Sequence, residues 1–172
     1  RIEDDLEIME MQLQNANCLA IGECGLDKRI DIPFGLQEEV FCKQLALAEK
    51  HQMPVIIHCV AAFQELVKIK EDMDISVPMI IHGFSKKAEL ARQLTGNEFY
   101  LSFGRYLLLN PELESVFQNV PNDRFFLETD TMDETIDAVY EAASKYKNIE
   151  IGSLKKIVET NFRNVFLKNK KI

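Results

Sequence analysis

A chain of 172 residues, 47% hydrophobic and 28% charged, with 7 glycines and 5 prolines, has the composition of a globular protein rather than a disordered or low-complexity one. Its formal charge of −8 argues against a general nucleic-acid coat or a protein of anionic membrane surfaces. No apolar run approaches the roughly 20 residues that span a bilayer. The cysteines, Cys18, Cys24, Cys42 and Cys59, show no Cys-x-x-Cys spacing and read as thiols of a cytoplasmic protein rather than a disulfide framework or zinc knuckle.

In chain order, residues 2–14 place Ile2, Leu6, Ile8, Met9 and Leu13 among acids at a helical period, ended by Asn15 and Asn17. Residues 18–22 read as a short buried strand, and the turn residues from Gly25 to Pro33 as a loop. A long helix follows to about His51, with Leu36, Val40, Phe41, Leu45 and Ala48 on its apolar face. Pro54 and Pro78 each open a strand, and residues 61–71 between them form a helix. Ser85 is placed to cap a helix reaching about Leu94. Residues 99–103 are a strand, Pro111 suits the first turn of a short helix, and 124–127 is a further apolar run. Helices over about 132–146 and 153–167 close the sequence, with basic residues at 168–171 as a solvated helix end.

These strands alternate with helices, are continuously apolar, and show no hairpin turn between neighbours. That pattern predicts an α/β fold with a parallel sheet covered on both faces, of the TIM-type (β/α) barrel kind, as one domain over 1–172. Five strands are too few to close an eight-stranded barrel. The expectation is therefore that N-terminal strand material precedes Arg1.

Two strands end alike, in Pro-Val-Ile-Ile-His at His58 and Pro-Met-Ile-Ile-His at His82. Two others close on acids, at Glu23 and at Asp130. A parallel barrel gathers its strand C-termini on one rim, so these four side chains are expected to converge as metal ligands. Imidazole and carboxylate donors suit Zn²⁺, Mn²⁺ or Fe²⁺, and Mg²⁺ if water completes the shell. Asp130 is expected both to bind metal and to take the proton of an attacking water. His51 sits at a helix C-terminus and reads as structural. Lys28, Lys86 and Arg105 follow strands on the same rim and are expected to meet substrate phosphates. Phe84, Phe103 and Tyr106 are candidates for stacking on a base, though a core position suits each better.

Gly22-Glu23-Cys24-Gly25-Leu26-Asp27 resembles the Gly-Glu-x-Gly-Leu-Asp signature of the TatD-like metal-dependent deoxyribonucleases. Ile57-His58-Cys59, Ile81-His82-Gly83-Phe84-Ser85 and Leu127-Glu128-Thr129-Asp130 resemble that family's later signatures, in the same order. The resemblance implies an amidohydrolase-type barrel with one or two divalent ions (Mg, Mn or Zn) held by Glu23, His58, His82 and Asp130. Asp27 would then be a hydrogen-bonding residue behind the ligands. It also implies DNA or another phosphodiester as a transient substrate, with no membrane association and no stable protein partner. Three features depart from the family: no His-x-His is present, Val60 stands where arginine is frequent, and Thr131-Met132 follows Asp130 where serine or alanine and then proline are usual. Two further readings therefore stand beside the nuclease: an amidohydrolase-type enzyme cutting another ester or amide, and a scaffold without activity.

Overall fold

The computed structural model describes residues 1–168; of the expected basic helix end, residues 169–171 lie outside them. The described chain divides into two compact units, Arg1–Met79 and Ile80–Lys168.

In the first unit the elements are α1 (Ile2–Gln12), β1 (Ile21–Asp27), α2 (Phe34–His51), β2 (Val55–Val60) and α3 (Phe63–Asp72). Strands β1 and β2 pair in parallel. Helix α2 buries Phe41, Leu45 and Ala48, spaced four and three residues apart, which is one face of a helix. It stops where Gln52 turns left-handed, at φ 53°, two residues before Pro54. Along β2 the residues Val55, Ile57 and Cys59 are buried, so Ile56, His58 and Val60 point to the opposite face. Glu49, near the end of α2, accepts the backbone N–H groups of Ser76 (3.0 Å) and Val77 (3.2 Å) and the Ser76 hydroxyl. His51 joins α2 to α1 through Glu10, 2.8 Å from its Nε2, with Lys50 Nζ 2.6 Å from the same oxygen. The sequence placed His51 at the helix C-terminus, and its contact with Glu10 of α1 was not foreseen.

Strand β3 (Met79–Ile81) leads into the second unit, which continues with α4 (Ala88–Gly96), β4 (Tyr100–Phe103), α5 (Arg105–Leu109), α6 (Leu113–Asn119), β5 (Phe125–Leu127), α7 (Ile136–Lys147) and α8 (Ile151–Phe162). A π-helical turn, Arg163–Leu167, follows. Strand β4 pairs in parallel with β3 on one side and β5 on the other. A run of edge-on aromatic contacts fills this core: Phe84–Phe103 at 5.6 Å, Phe103–Phe117 at 5.0 Å and Phe117–Phe125 at 4.9 Å between centroids. Each such pair adds roughly 0.5–1.5 kcal/mol beyond area burial. The buried Asn161 ties α8 to β5 by donating its amide to Asn122 O (2.8 Å) and Phe125 O (2.9 Å).

Several sequence expectations shift. The first strand runs over Ile21–Asp27 instead of 18–22, so Gly25 lies inside it and not in a turn. A Cβ at Gly25 would lie 2.0 Å from His58 O, and its φ is +148°. Glycine is there because two backbones approach closely, which a turn rule misreads. Ser85 caps nothing: α4 begins at Ala88, because Phe84 is drawn into the core and its N–H bonds to Ser102 O at 2.9 Å. The helix expected from 132 starts at Ile136, where the Thr135 hydroxyl accepts the Ala138 N–H. Helix α5 was not foreseen.

Candidate metal centre

On β1 the residues Cys24 and Leu26 face the core, which leaves Glu23, Gly25 and Asp27 on the other face. The register sets Gly25 opposite His58. With no side chain at Gly25, the imidazole meets the next residue on that face, and His58 Nε2 lies 2.9 Å from Asp27 Oδ2. The ligand atoms of Glu23 and His58 come within 4.8 Å of each other. His58 and Glu23 therefore sit within their strands, whereas the sequence placed them as closing residues.

Asp27 is fixed from several directions. Its Oδ1 accepts the Arg29 N–H at 2.8 Å. Gln37, buried on α2, accepts the Asp27 N–H (2.8 Å) and donates to Asp27 O (3.0 Å) and Ile32 O (2.9 Å). This carboxamide stands in for a strand neighbour along the β1 edge. The hydrogen bond from His58, and then that from Arg29 N–H, hold the Asp27 carboxyl below the ordinary aspartate range. A cavity of about 480 Å³ opens here, lined by Glu23, Asp27 and His58 and by apolar Ile30, Ile32 and Leu36.

In the second unit, His82 follows β3, and Glu128 and Asp130 follow β5; the ligand atoms of these three lie within 4.8 Å of one another. Glu128 Oε1 accepts the Gly83 N–H at 2.8 Å and stands 3.8 Å from His82 Nδ1. Burial pushes the Glu128 carboxyl up, but hydrogen bonds with His82, Ser102 and Gly83 N–H outweigh it, and the net shift is downward. Gly104 lets the chain entering α5 pass close by, since a Cβ there would lie 2.8 Å from both Glu128 Cγ and Glu128 O. Asp130 is exposed, with a left-handed backbone at φ 50°, a conformation aspartate tolerates better than most residues.

The expected phosphate contacts are placed as follows. Lys28 is exposed but ion-paired with Glu65, and its Nζ lies 5.2 Å from the centre of the Phe34 ring. Lys86 is half-buried and lines a cavity of about 340 Å³ with Ser85, Lys87, Asn110 and Glu112. Arg105 is exposed at the first residue of α5. Of the candidate base platforms, Phe84 and Phe103 are core residues, and Tyr106 is 47% exposed. Cys24 and Cys59 are buried thiols, whose pKa burial pushes up to about 12. Cys18 and Cys42 are half-buried.

Two residues beyond the expected set emerge as partners of it. Glu128 lies inside the Leu127-Glu128-Thr129-Asp130 motif, and its signal is its place two residues before Asp130. Gln37 carried no signal, since a glutamine on an amphipathic helix is ordinary.

The fold and the site define a parallel α/β protein of the TIM-barrel class with imidazole–carboxylate clusters at its strands. The same fold occurs in a solved TatD homolog from Escherichia coli K12, with TM-score 0.86 and 21% identity over 96% of this chain and 71% of that one. A TatD family hydrolase from Entamoeba histolytica shares it too, with TM-score 0.83 and 18% identity over 96% and 68%. The family model described as TatD related DNase matches residues 1–167, and the chain belongs to that family. Among curated relatives, an uncharacterized metal-dependent hydrolase of Bacillus subtilis is 39% identical over 132 residues, 74% of this chain and 52% of that protein. A protein of Rahnella sp. named 3'-5' ssDNA/RNA exonuclease TatD is 35% identical over 126 residues, 66% of this chain and 45% of that protein. The chain thus spans about half the length of the curated relatives it matches.

Proposed function

We propose that this chain belongs to a metal-dependent hydrolase that cuts phosphodiester bonds in DNA, with Glu23, His58, His82 and Asp130 as ligands for one or two divalent ions. The donor chemistry fits: neutral imidazoles paired with ionised carboxylates suit Zn²⁺ or Mn²⁺, and Mg²⁺ with added water. The observation that carries the reading is the grouping of the His82, Glu128 and Asp130 ligand atoms within 4.8 Å of one another. Family membership and relatives named as ssDNA/RNA exonucleases support the nucleic-acid substrate. A divalent ion bound there supplies Lewis acidity and lowers the pKa of water towards 7.

The side chains do the rest. Asp130, exposed at its loop, accepts a proton from the attacking water. Lys86 and Arg105 take up phosphate oxygens, and Lys28 does so by exchanging its Glu65 partner for the substrate. The reading treats 1–172 as one hydrolase domain without a stable protein partner. It also places the protein in the cytoplasm, the compartment that cysteines without a disulfide-framework spacing suit. Among the described residues no helix is long and apolar enough to cross a membrane.

The test is cleavage of end-labelled single-stranded DNA by the full-length protein in EDTA and with added Mg²⁺, Mn²⁺ or Zn²⁺. Cleavage should require metal, and Asp130→Asn should reduce kcat by about 10²–10⁴-fold, the usual contribution of a general base. Tight metal binding without any cleavage of DNA, RNA or simple esters would favour the inactive scaffold, the reading that Val60 and Thr131-Met132 support.

A further inference from the structure

Helix α5, Arg105–Leu109, is short, and the chain is fixed on both sides of it. Gly104, just before it, packs so closely on Glu128 of the metal cluster that a Cβ there would lie 2.8 Å from Glu128 Cγ. Leu107, in its middle, is fully buried, and the Leu107 carbonyl accepts the Tyr146 hydroxyl at 3.3 Å. Asn110, just after it, lines the cavity of about 340 Å³ together with Ser85 and Lys86. Held in this way, α5 turns Tyr106 and Leu109 outward, 47% and 55% exposed and three residues apart, hence on one face. Among the described residues the Tyr106 side chain enters no hydrogen bond or ring contact.

A single exposed ring is ordinary on a protein surface. This one stands two residues from the backbone that touches Glu128, beside the exposed Arg105. Arg105 opens α5, and Lys86 shares the cavity with Asn110 at its other end, so the two cations assigned above to phosphate oxygens flank a helix about 7.5 Å long. A strand with phosphates at both must cross the face that carries Tyr106. Each of its bases has a π-face that can lie on an aromatic ring. Inside a duplex both faces of a base are covered by its neighbours, so only an unstacked base can reach the ring.

We propose that the outward face of α5 is a nucleobase subsite, in which Tyr106 stacks on an unpaired base of the strand whose phosphate lies at the metal cluster. The inference rests on the phosphodiester reading above and adds to it a residue that favours single strands over duplex.

The test is DNA binding by the full-length protein as D130N with Mn²⁺, read from the fluorescence anisotropy of a labelled octamer. Tyr106→Ala should weaken single-stranded binding about 5–150-fold, the range for one base lost from an aromatic platform. Tyr106→Phe should stay within about twofold of its parent, and duplex affinity should change by less than about twofold in either variant. Among octamers carrying one abasic site, one position should weaken the parent and have no further effect in Y106A, because ring and base act as a pair.

Equal affinities of Y106A and its parent for single strands overturn the subsite. So does an equal weakening for single strand and duplex, which would put Tyr106 on the sugar–phosphate backbone. A Y106F as weak as Y106A overturns it too, since the hydroxyl and not the ring would then make the contact. If neither the natural protein nor D130N binds either form of DNA with Mn²⁺, the phosphodiester reading fails and the subsite falls with it.

Discussion

Both histidines proposed as ligands stand against a carboxylate far away in sequence: Asp27 for His58 and Glu128 for His82. Neither acid is one of the four proposed ligands, yet each is held by a backbone N–H group, from Arg29 and from Gly83. Glu128→Ala leaves the Gly83 N–H without its acceptor, which should cost about 1–3 kcal/mol in urea unfolding of the metal-free protein. Glu128→Gln keeps an acceptor for that N–H and should recover most of the loss. If both variants unfold like the parent, the Gly83 contact contributes nothing. At this scale the sequence was legible where chemistry and spacing coincide. Glu23, His58, His82 and Asp130 stand out as candidate ligands because ligand-type residues are rare after apolar runs. The roles of Gln37 and Glu128 could not, because a carboxamide or carboxylate is recruited by register and by backbone groups that only the folded chain brings near.

Among the elements, the join between α2 and the segment leading to β3 is carried by Glu49. Burial pushes its carboxyl up, but the hydroxyl and N–H groups of Ser76 and the N–H of Val77 hold it net below the glutamate range. A carboxyl depressed in the folded state stabilises fully above its unfolded value, about 4.3, and the contribution is lost as pH falls through the lower folded value. Glu49→Ala should therefore lower stability by about 1.5–3 kcal/mol at pH 7, the range for hydrogen bonds to a charged group. Urea unfolding at a series of pH values should show the gap between parent and variant closing on the acid side. A gap that is constant from pH 7 down to pH 3 would mean that packing, and not the carboxylate, makes the join. Helices α2, α7 and α8 were foreseen because long apolar faces override detail at their ends. Helix α5 was missed because five residues, Arg105–Leu109, are too few to show a period. The strand β1 was misplaced because Gly25 looks like a turn residue, whereas its partner is a backbone 33 positions on, at His58.

Across the whole molecule, a formal charge of −8 sets the terms on which a polyanion approaches. Of the basic residues proposed to meet substrate, Lys28 is already paired with Glu65, which leaves Lys86 and Arg105 to offset that repulsion without a divalent ion. Gel-shift titration in EDTA with duplex or single-stranded DNA should show no complex at micromolar protein, and added Mn²⁺ or Zn²⁺ should produce one with catalytically impaired D130N. A metal-independent complex would assign recognition to a basic surface instead. The fold class was readable at this scale from the alternation of continuous apolar strands with helices, a coarse signal that tolerates errors of several residues in every element.

Positions 25 and 104 admit no methyl group, each being filled by backbone or by Glu128 before a side chain could begin. The ground beneath His58 and beside Glu128 is thus closed to substitution. Variants meant to alter the proposed metal site are therefore better placed at the acids 27 and 128, which lie 2.9 Å from His58 Nε2 and 3.8 Å from His82 Nδ1.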